Sequence, residues 1–280
     1  MTAPGVQRFV WIASYPKSGN TWVRVFLTNY IRNQSAPADI NKLQGPKVAA
    51  RSLFDRYCAI SAAELTPTEI DLHRPAIYRA MAAESSETLV AKVHDVYRFA
   101  VDGTPLFPPD VTLSSVYVVR DPRDVVVSMA HHRELTVDAA IDRLCERGAV
   151  IAPAGGRSFA QVPQVVGSWS EHVESWLNAS MAPVAVRYED LVADSHQAFG
   201  RVVAAVRLPV DQDRLSRAIR FSSLGELQWQ ESQRGFSGRL GPSPFFRRGQ
   251  AGQWREDLSA AQIARIERHH GAVMAQLGYR

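Results

Sequence analysis

Residues 9–31 read FVWIASYPKSGNTWVRVFLTNYI, and this stretch decides the fold. Phe9–Ser14 is a short apolar, partly β-branched run of the length of a buried strand. Tyr15-Pro16-Lys17-Ser18-Gly19-Asn20 follows, and its Pro and Gly end that strand. Val23, Phe26, Leu27, Tyr30 and Ile31 then recur at helical spacing on one face. A strand, a Lys-Ser-Gly turn and a helix make a phosphate-binding arrangement. The turn offers backbone N–H groups, the helix N-terminus offers its positive dipole end, and Lys17 adds a mobile cation. The alternative is an ordinary basic turn. The turn is not a Walker A loop, because Lys17 precedes Gly19 and no glycine lies between Phe9 and Ser18.

The rest of the chain sets the frame. With 280 residues and 46% hydrophobic content it can bury one substantial core, and a single α/β domain over residues 1–280 is expected. The net charge of +4 suits an anionic ligand. Its basic residues are scattered, with no Lys/Arg run beyond the pair Arg247-Arg248, which argues against nucleic acid as partner. Cys58 and Cys145 form no C-x-x-C pair and suggest reduced thiols in the cytoplasm. Neither a signal peptide before Phe9 nor a membrane-spanning stretch is evident, so no membrane association is expected.

Strand-like and helix-like segments alternate along the chain, the pattern of a central parallel sheet flanked by helices. Strands are expected at Thr88–His94, Ser115–Arg120 and Pro183–Tyr188. Helices are expected near Thr136–Arg147, Ser168–Asn178, His196–Val206 and Ser259–Leu277. Gly148–Gly167 and Arg234–Gly252 lack periodicity. At the second strand-to-helix junction, Arg120-Asp121-Pro122-Arg123-Asp124, Asp121 is a natural N-cap and Pro122 a natural first helical residue. Arg120 therefore stands at the carboxyl end of a strand, where open α/β sheets bind ligands. A structural Arg120–Asp124 ion pair is the bland alternative.

The order Tyr15-Pro-Lys-Ser-Gly-Asn-Thr-Trp22 resembles the 5′-phosphosulfate-binding loop of sulfotransferases that use 3′-phosphoadenosine 5′-phosphosulfate (PAPS). Arg120 through Ser128 is similar to that family's 3′-phosphate motif, and Phe245–Trp254 to its R-K-G-x-x-G-D-W block, with Arg248 for Lys and Gln253 for Asp. Arg187-Tyr188-Glu189-Asp190 and Ser222-Ser223-Leu224 match its base-contacting segments more loosely. The resemblance covers most of the chain. It implies the sulfotransferase fold, with a P-loop-like phosphosulfate-binding loop. It also implies sulfuryl transfer from PAPS to a small-molecule hydroxyl, PAP as product, and no metal. By the same resemblance Lys17, Ser18, Gly19, Asn20 and Thr21 hold the 5′ end of the nucleotide, while Trp22, Tyr188 and Ser222 lie near the adenine. Arg120, Ser128, Arg247, Arg248 and Gly249 would meet the 3′-phosphate.

Catalysis is expected at Lys92-Val93-His94, the family's K-T-H segment. Strand alternation places Lys92 and His94 on one side. The resemblance makes His94 the base, with Lys17 stabilising the leaving oxygen and Lys92 assisting. The chain holds 8 histidines, and a lone one is usually structural. Neighbouring helical side chains diverge by about 100°, so neither His131-His132 nor His269-His270 looks like a metal site.

Two other readings compete. A P-loop small-molecule kinase needs the Gly-Lys-Ser/Thr order and a Mg²⁺-binding Asp. A non-catalytic nucleotide-binding protein would have no use for Lys17 and His94 together. The acceptor is open. Ala36–Pro75, Asp95–Pro109 and Gly148–Gly167 supply Phe54, Tyr57, Tyr97, Phe99, Phe107 and Phe159. These either line a pocket for a phenol or another flat alcohol, or are ordinary core and loop aromatics. Many relatives dimerise through K-x-x-x-T-V-x-x-x-E. The matching Arg255–Ala264 lacks its central pair and terminal Glu, so a dimer through that segment is not expected.

Overall fold

The computed structural model describes residues 7–152 and 160–279. In chain order the elements are β1 (Phe9–Ala13), α1 (Asn20–Arg32), α2 (Arg51–Tyr57), α3 (Pro67–Glu84), β2 (Leu89–Val93), β3 (Thr112–Val119), α4 (Pro122–Arg133), α5 (Val137–Cys145), β4 (Val150–Ile151), β5 (Gln164–Val165), α6 (Trp169–Leu177), β6 (Val184–Arg187), α7 (Tyr188–Ala193), α8 (Ser195–Ala205), α9 (Gln212–Phe221), α10 (Leu224–Arg234), α11 (Trp254–Asp257) and α12 (Ala260–Gln276). Four strands form a parallel sheet in the order β2-β1-β3-β6, and β4 and β5 pair as a small antiparallel ribbon. Each expected strand is found within a few residues of its sequence bounds.

Strand alternation divides β1 between two cores. Phe9, Trp11 and Ala13 face a layer built from α3, α4, α5, α6 and α12. Val10 and Ile12 face α1, α8 and α9, against Val23, Phe26, Leu27 and Phe199. All five β1 residues are buried, as a central parallel strand requires. Trp11 stacks on Phe9 at 4.3 Å and donates its indole N–H to Thr112 Oγ1 at 2.9 Å. Its one polar group is thus satisfied inside the core.

Ala36–Pro75 contains α2 and half of α3 as well as loop. α3 begins at a capping box, Thr66 with Glu69, and has Pro67 in its first turn. Pro75 inside it disguises the helix in the sequence. Several of the candidate pocket aromatics turn out to be core. Phe107 is fully buried between Trp11 and Trp176, and Phe54 is buried against His73. Tyr57 donates to Glu84, Tyr97 meets Ser180, and Phe99 is exposed. Phe159 lies outside the described residues.

α3 also supplies Arg74, which is 2% exposed and donates to Asp95 at 2.8 Å. Asp95 in turn accepts the Val165 N–H at 3.0 Å, and its carbonyl accepts the Trp176 indole at 2.9 Å. The chain just past β2 is therefore locked on three sides. Removing one partner of a buried pair leaves an uncompensated charge. Asp95→Ala should lower unfolding free energy by about 3–5 kcal/mol. Asp110→Ala, which breaks the exposed Arg79 pair, should cost less than about 1 kcal/mol in the same urea titrations.

Candidate active site

The loop between β1 and α1 is shaped by its own side chains. Asn20 donates its amide to the Ile12 carbonyl at 2.7 Å and to Ser14 Oγ at 3.3 Å, tying the helix start to the strand end. Its carboxamide nitrogen thus closes the loop, while its Oδ1 is buried without a partner. Lys17 adopts a positive φ of 70°, and Gly19 one of 104°. A Cβ on Gly19 would come within 2.7 Å of the Tyr188 ring, so glycine is required on two grounds. No side chain caps α1, and its first turn carries no acidic residue. Its leading N–H groups are left for an anion. Ser18 Oγ is buried without a partner.

Arg120 reaches the loop from β3, the strand beside β1. It donates to the Lys17 carbonyl at 3.3 Å and to the Gln250 carbonyl at 3.0 Å, with its guanidinium 4.3 Å above the Tyr188 ring. Its Nε is buried and unpartnered. The expected rival, an Arg120–Asp124 pair, is stretched to 3.8 Å. Asp124 is instead taken by the N–H groups of Gly252 (2.7 Å) and Trp254 (3.0 Å). That contact seats the Phe245–Trp254 segment over the loop. Arg247 donates to Gln253 Oε1 at 2.8 Å, so the amide at position 253 holds that arginine through a neutral bond. Arg248 is largely exposed and lies 3.7 Å from Glu256 and Asp257. Gly249 has φ 60°, and a Cβ there would press on Leu224 at 2.9 Å.

Trp22 is pinned by its indole N–H to the Ser222 carbonyl at 2.9 Å and meets Tyr188 edge-on at 5.7 Å. The Ser222 hydroxyl is spent inside its own helix, on Ala218 at 2.8 Å. Ser128 is half-buried midway along α4, and Thr21 half-buried in the first turn of α1. The structure thus gathers Lys17, Ser18, Gly19, Trp22, Tyr188 and Ser222 around one loop, with Arg120 bridging to the Arg247 segment.

His94 follows β2 on the other flank of β1. Its Nδ1 lies 2.8 Å from the Ser14 carbonyl, so that nitrogen carries the proton and Nε2 keeps its lone pair. Burial, and then Lys92, push its pKa well below the ordinary value, keeping the ring neutral. Sequence reasoning missed the group behind it. His172, fully buried on α6, faces the His94 carbonyl at 3.1 Å and Tyr117 at 2.9 Å. The carbonyl requires a proton on His172 Nε2, so Tyr117 is the donor to Nδ1. No sequence motif marks this contact, which joins residues far apart in the chain.

The electrostatics are one-sided. Burial, followed by Lys92 and Arg120, lowers the Lys17 pKa to about 7. Burial, followed by Arg24 and Lys47, lowers that of Lys92 to about 8. Lys17 Nζ lies 3.9 Å over the Phe245 ring, which also meets His132 edge-on at 5.4 Å. The sequence did not mark these contacts of Phe245 with Lys17 and His132. Among the described residues no group of three or more His, Cys, Asp or Glu could hold a metal ion. A surface groove of about 480 Å³ at the amino ends of the strands, lined by Val10, Gln44 and Leu208, contains none of these groups.

The sulfotransferase domain family matches residues 7–278, and the chain belongs to it. Sulfotransferase 1A1 of Bos taurus is 23% identical over 278 residues, spanning 94% of this chain and 82% of its own. Cytosolic sulfotransferase 1 of Arabidopsis thaliana is 22% identical over 278 residues, spanning 91% and 75%. Two solved structures share the fold. Retinol dehydratase in complex with androsterone and inactive cofactor PAP has a TM-score of 0.62 at 17% identity, covering 95% of this chain and 80% of that one. Mouse sulfotransferase SULT7A1 complexed with PAP has 0.59 at 18%, covering 95% and 84%. The protein is a sulfotransferase, and the kinase reading falls.

Gly19 offers a direct probe of the loop. Gly19→Ala combines a left-handed backbone with a clash on Tyr188 and should cost about 1–3 kcal/mol. Thermal unfolding should register that loss, together with weaker binding of phosphate-bearing ligands.

Proposed function

We propose that the chain is one sulfotransferase domain that moves the sulfuryl group of PAPS to the hydroxyl of a small-molecule acceptor, with His94 as general base. The observation that carries this reading is a neutral His94, its Nε2 lone pair free, beside a lysine-lined helix N-terminus whose N–H groups lack a cap. When bound, PAPS supplies the sulfuryl group and a phosphate leaving group. Its fit to these residues is supported by two buried donors without partners, Ser18 Oγ and Arg120 Nε, both beside the loop.

Lys17, Ser18 and the N–H groups of Gly19, Asn20 and Thr21 hold the 5′ end. Arg120, Arg247, Arg248 and the Gly249 N–H hold the 3′-phosphate, with Ser128 alongside. Guanidinium forks match phosphate oxygens in pairs. Trp22, Tyr188 and the Ser222 backbone frame the base. His94 Nε2 takes the acceptor's proton as its oxygen bonds to sulfur. Lys17 neutralises the charge that develops on the leaving oxygen, and Lys92 supports it. His172 is a positioning residue, because it fixes the His94 main chain without reaching the acceptor.

Among the described residues no helix is long and apolar enough to cross a membrane. Two free cysteines support a cytoplasmic setting. The altered Arg255–Ala264 segment supports an assembly, if any, through another surface.

Calorimetric titration tests the donor assignment. PAP should bind without Mg²⁺, and ATP or an oligonucleotide should bind far more weakly. An anion binds the protonated forms of Lys17 and Lys92, whose free-state pKa values are about 7 and 8. Affinity should therefore fall at least about tenfold as pH rises from 7 to 9, with proton uptake on binding. Binding that is flat over this range would remove the lysines from the anion site.

His94→Ala tests the chemistry. It should leave PAP affinity nearly unchanged while turnover falls about 10²–10⁴-fold. The loss should shrink for nitrophenols, which ionise unaided. Wild-type turnover with a high-pKa alcohol would exclude His94 as the base.

A further inference from the structure

The strand order β2-β1-β3 puts two groups of cations on opposite sides of the β1 loop. Arg120 stands at the end of β3, with Arg247 beside it, since each of the pair Arg120 and Arg248 depresses the Arg247 pKa. In the sulfuryl-transfer reading these belong to the 3′-phosphate of the donor. Beyond Lys92, the β2 flank carries cations that the donor does not account for. Lys92 is in register with Ile12, whose side chain packs beneath α1, so Lys92 faces α1 as well. There the charges of Arg24, one helical turn beyond Asn20, and of Lys47 both act on it and lower its pKa.

Arg24 is the anomaly. It is 7% exposed, yet its Nε is buried without a partner. No neighbouring carboxylate offsets its burial, which alone lowers its pKa to about 10. A buried guanidinium nitrogen with neither partner nor nearby carboxylate is costly, and a ligand anion would complete it. The side chain of a helical residue leans toward the helix N-terminus, which directs Arg24 to the loop and His94.

The surroundings are built to hold it there. Thr28, one turn further along α1, accepts the Gln44 N–H at 3.1 Å. Gly45, at φ 91°, lies so close to β2 that a Cβ would sit 1.9 Å from the Val90 carbonyl. Residues 44–47 are thereby fastened between α1 and β2, with exposed Lys47 at the rim.

We propose that Arg24, with Lys47 at the rim, is an oxyanion subsite of the acceptor pocket, and that the acceptor is a hydroxyl compound bearing a carboxylate or phosphate group. This rests on the sulfuryl-transfer reading, since it assigns the β2 flank to the acceptor that His94 deprotonates. The bidentate fork of Arg24 pairs with two oxygens of the acceptor's anion, and Lys47 meets it from solvent. A neutral flat alcohol would leave the buried Nε of Arg24 without a partner.

The test compares 4-hydroxyphenylacetate, 4-hydroxyphenyl phosphate and the neutral 4-hydroxyphenylacetamide. Transfer from PAPS gives KM, and calorimetry on the PAP-loaded protein gives affinity. At least one anionic probe should show a tenfold or greater advantage over the amide, and the better of the two identifies the group. Arg24→Gln should erase that advantage while PAP affinity stays within twofold, and Arg24→Lys should keep part of it. Equal values for acids and amide in the wild-type protein would overturn the proposal even if Arg24→Gln failed to fold. So would a loss of PAP affinity in Arg24→Gln as large as the loss for the acids, which would give Arg24 to the donor. Arg24-dependent binding of an acid without transfer to any probe would keep the subsite and sink the transfer reading. Transfer without charge preference would do the reverse.

Discussion

Everything at this site depends on how its carboxylates are spent. Lys17, Lys92, Arg24 and Arg120 crowd the carboxyl end of the sheet. Burial depresses the pKa values of Lys17, Lys92 and Arg24, and neighbouring cations lower those of the two lysines further. Asp124 stands 3.8 Å from Arg120, and the nearby carboxylates make their short hydrogen bonds elsewhere. Asp124 takes the Gly252 and Trp254 N–H groups, and Glu231 takes those of Phe245 and Phe246 at 2.7 and 3.0 Å. Glu189 takes the Asp121 N–H and the Tyr279 hydroxyl. Negative charge is used to fasten main chain, and positive charge is left for the ligands. The fold thereby holds a preorganised anion site whose repulsion is relieved when anions arrive.

The same carboxylates set the geometry. Glu231 and Asp124 suspend the Phe245–Trp254 segment over the loop, which lets Phe245 rest on Lys17 and Gln250 receive Arg120. Glu189 joins the start of α4 to the end of β6, bringing Tyr188 under Arg120 and against Gly19. On the far flank, the buried Arg74–Asp95 pair and the Tyr117–His172–His94 chain fix His94. Two independent frameworks therefore hold the loop side and the His94 side in place.

Residues 9–31 determined a good part of this by themselves. A fully apolar strand, a Pro-Lys-Ser-Gly turn and an amphipathic helix have few physical outcomes, and each part was local enough to read. The Asp121 cap and Pro122 likewise marked the second junction, because capping is a matter of adjacent residues. What the sequence could not display was long-range pairing. α3 was hidden by Pro75, and the aromatics of the Ala36–Pro109 region could not be sorted into core and pocket without the sheet to pack against. The tertiary structure alone decided that Asp124 holds backbone N–H groups more closely than Arg120, that Gln253 replaces a charge with a neutral bond to Arg247, and that His172 stands behind His94. It alone left Arg24 buried without a counter-ion. Pattern within a helix or strand is a property of neighbours in sequence. The partner of a buried charge is chosen only when distant segments meet.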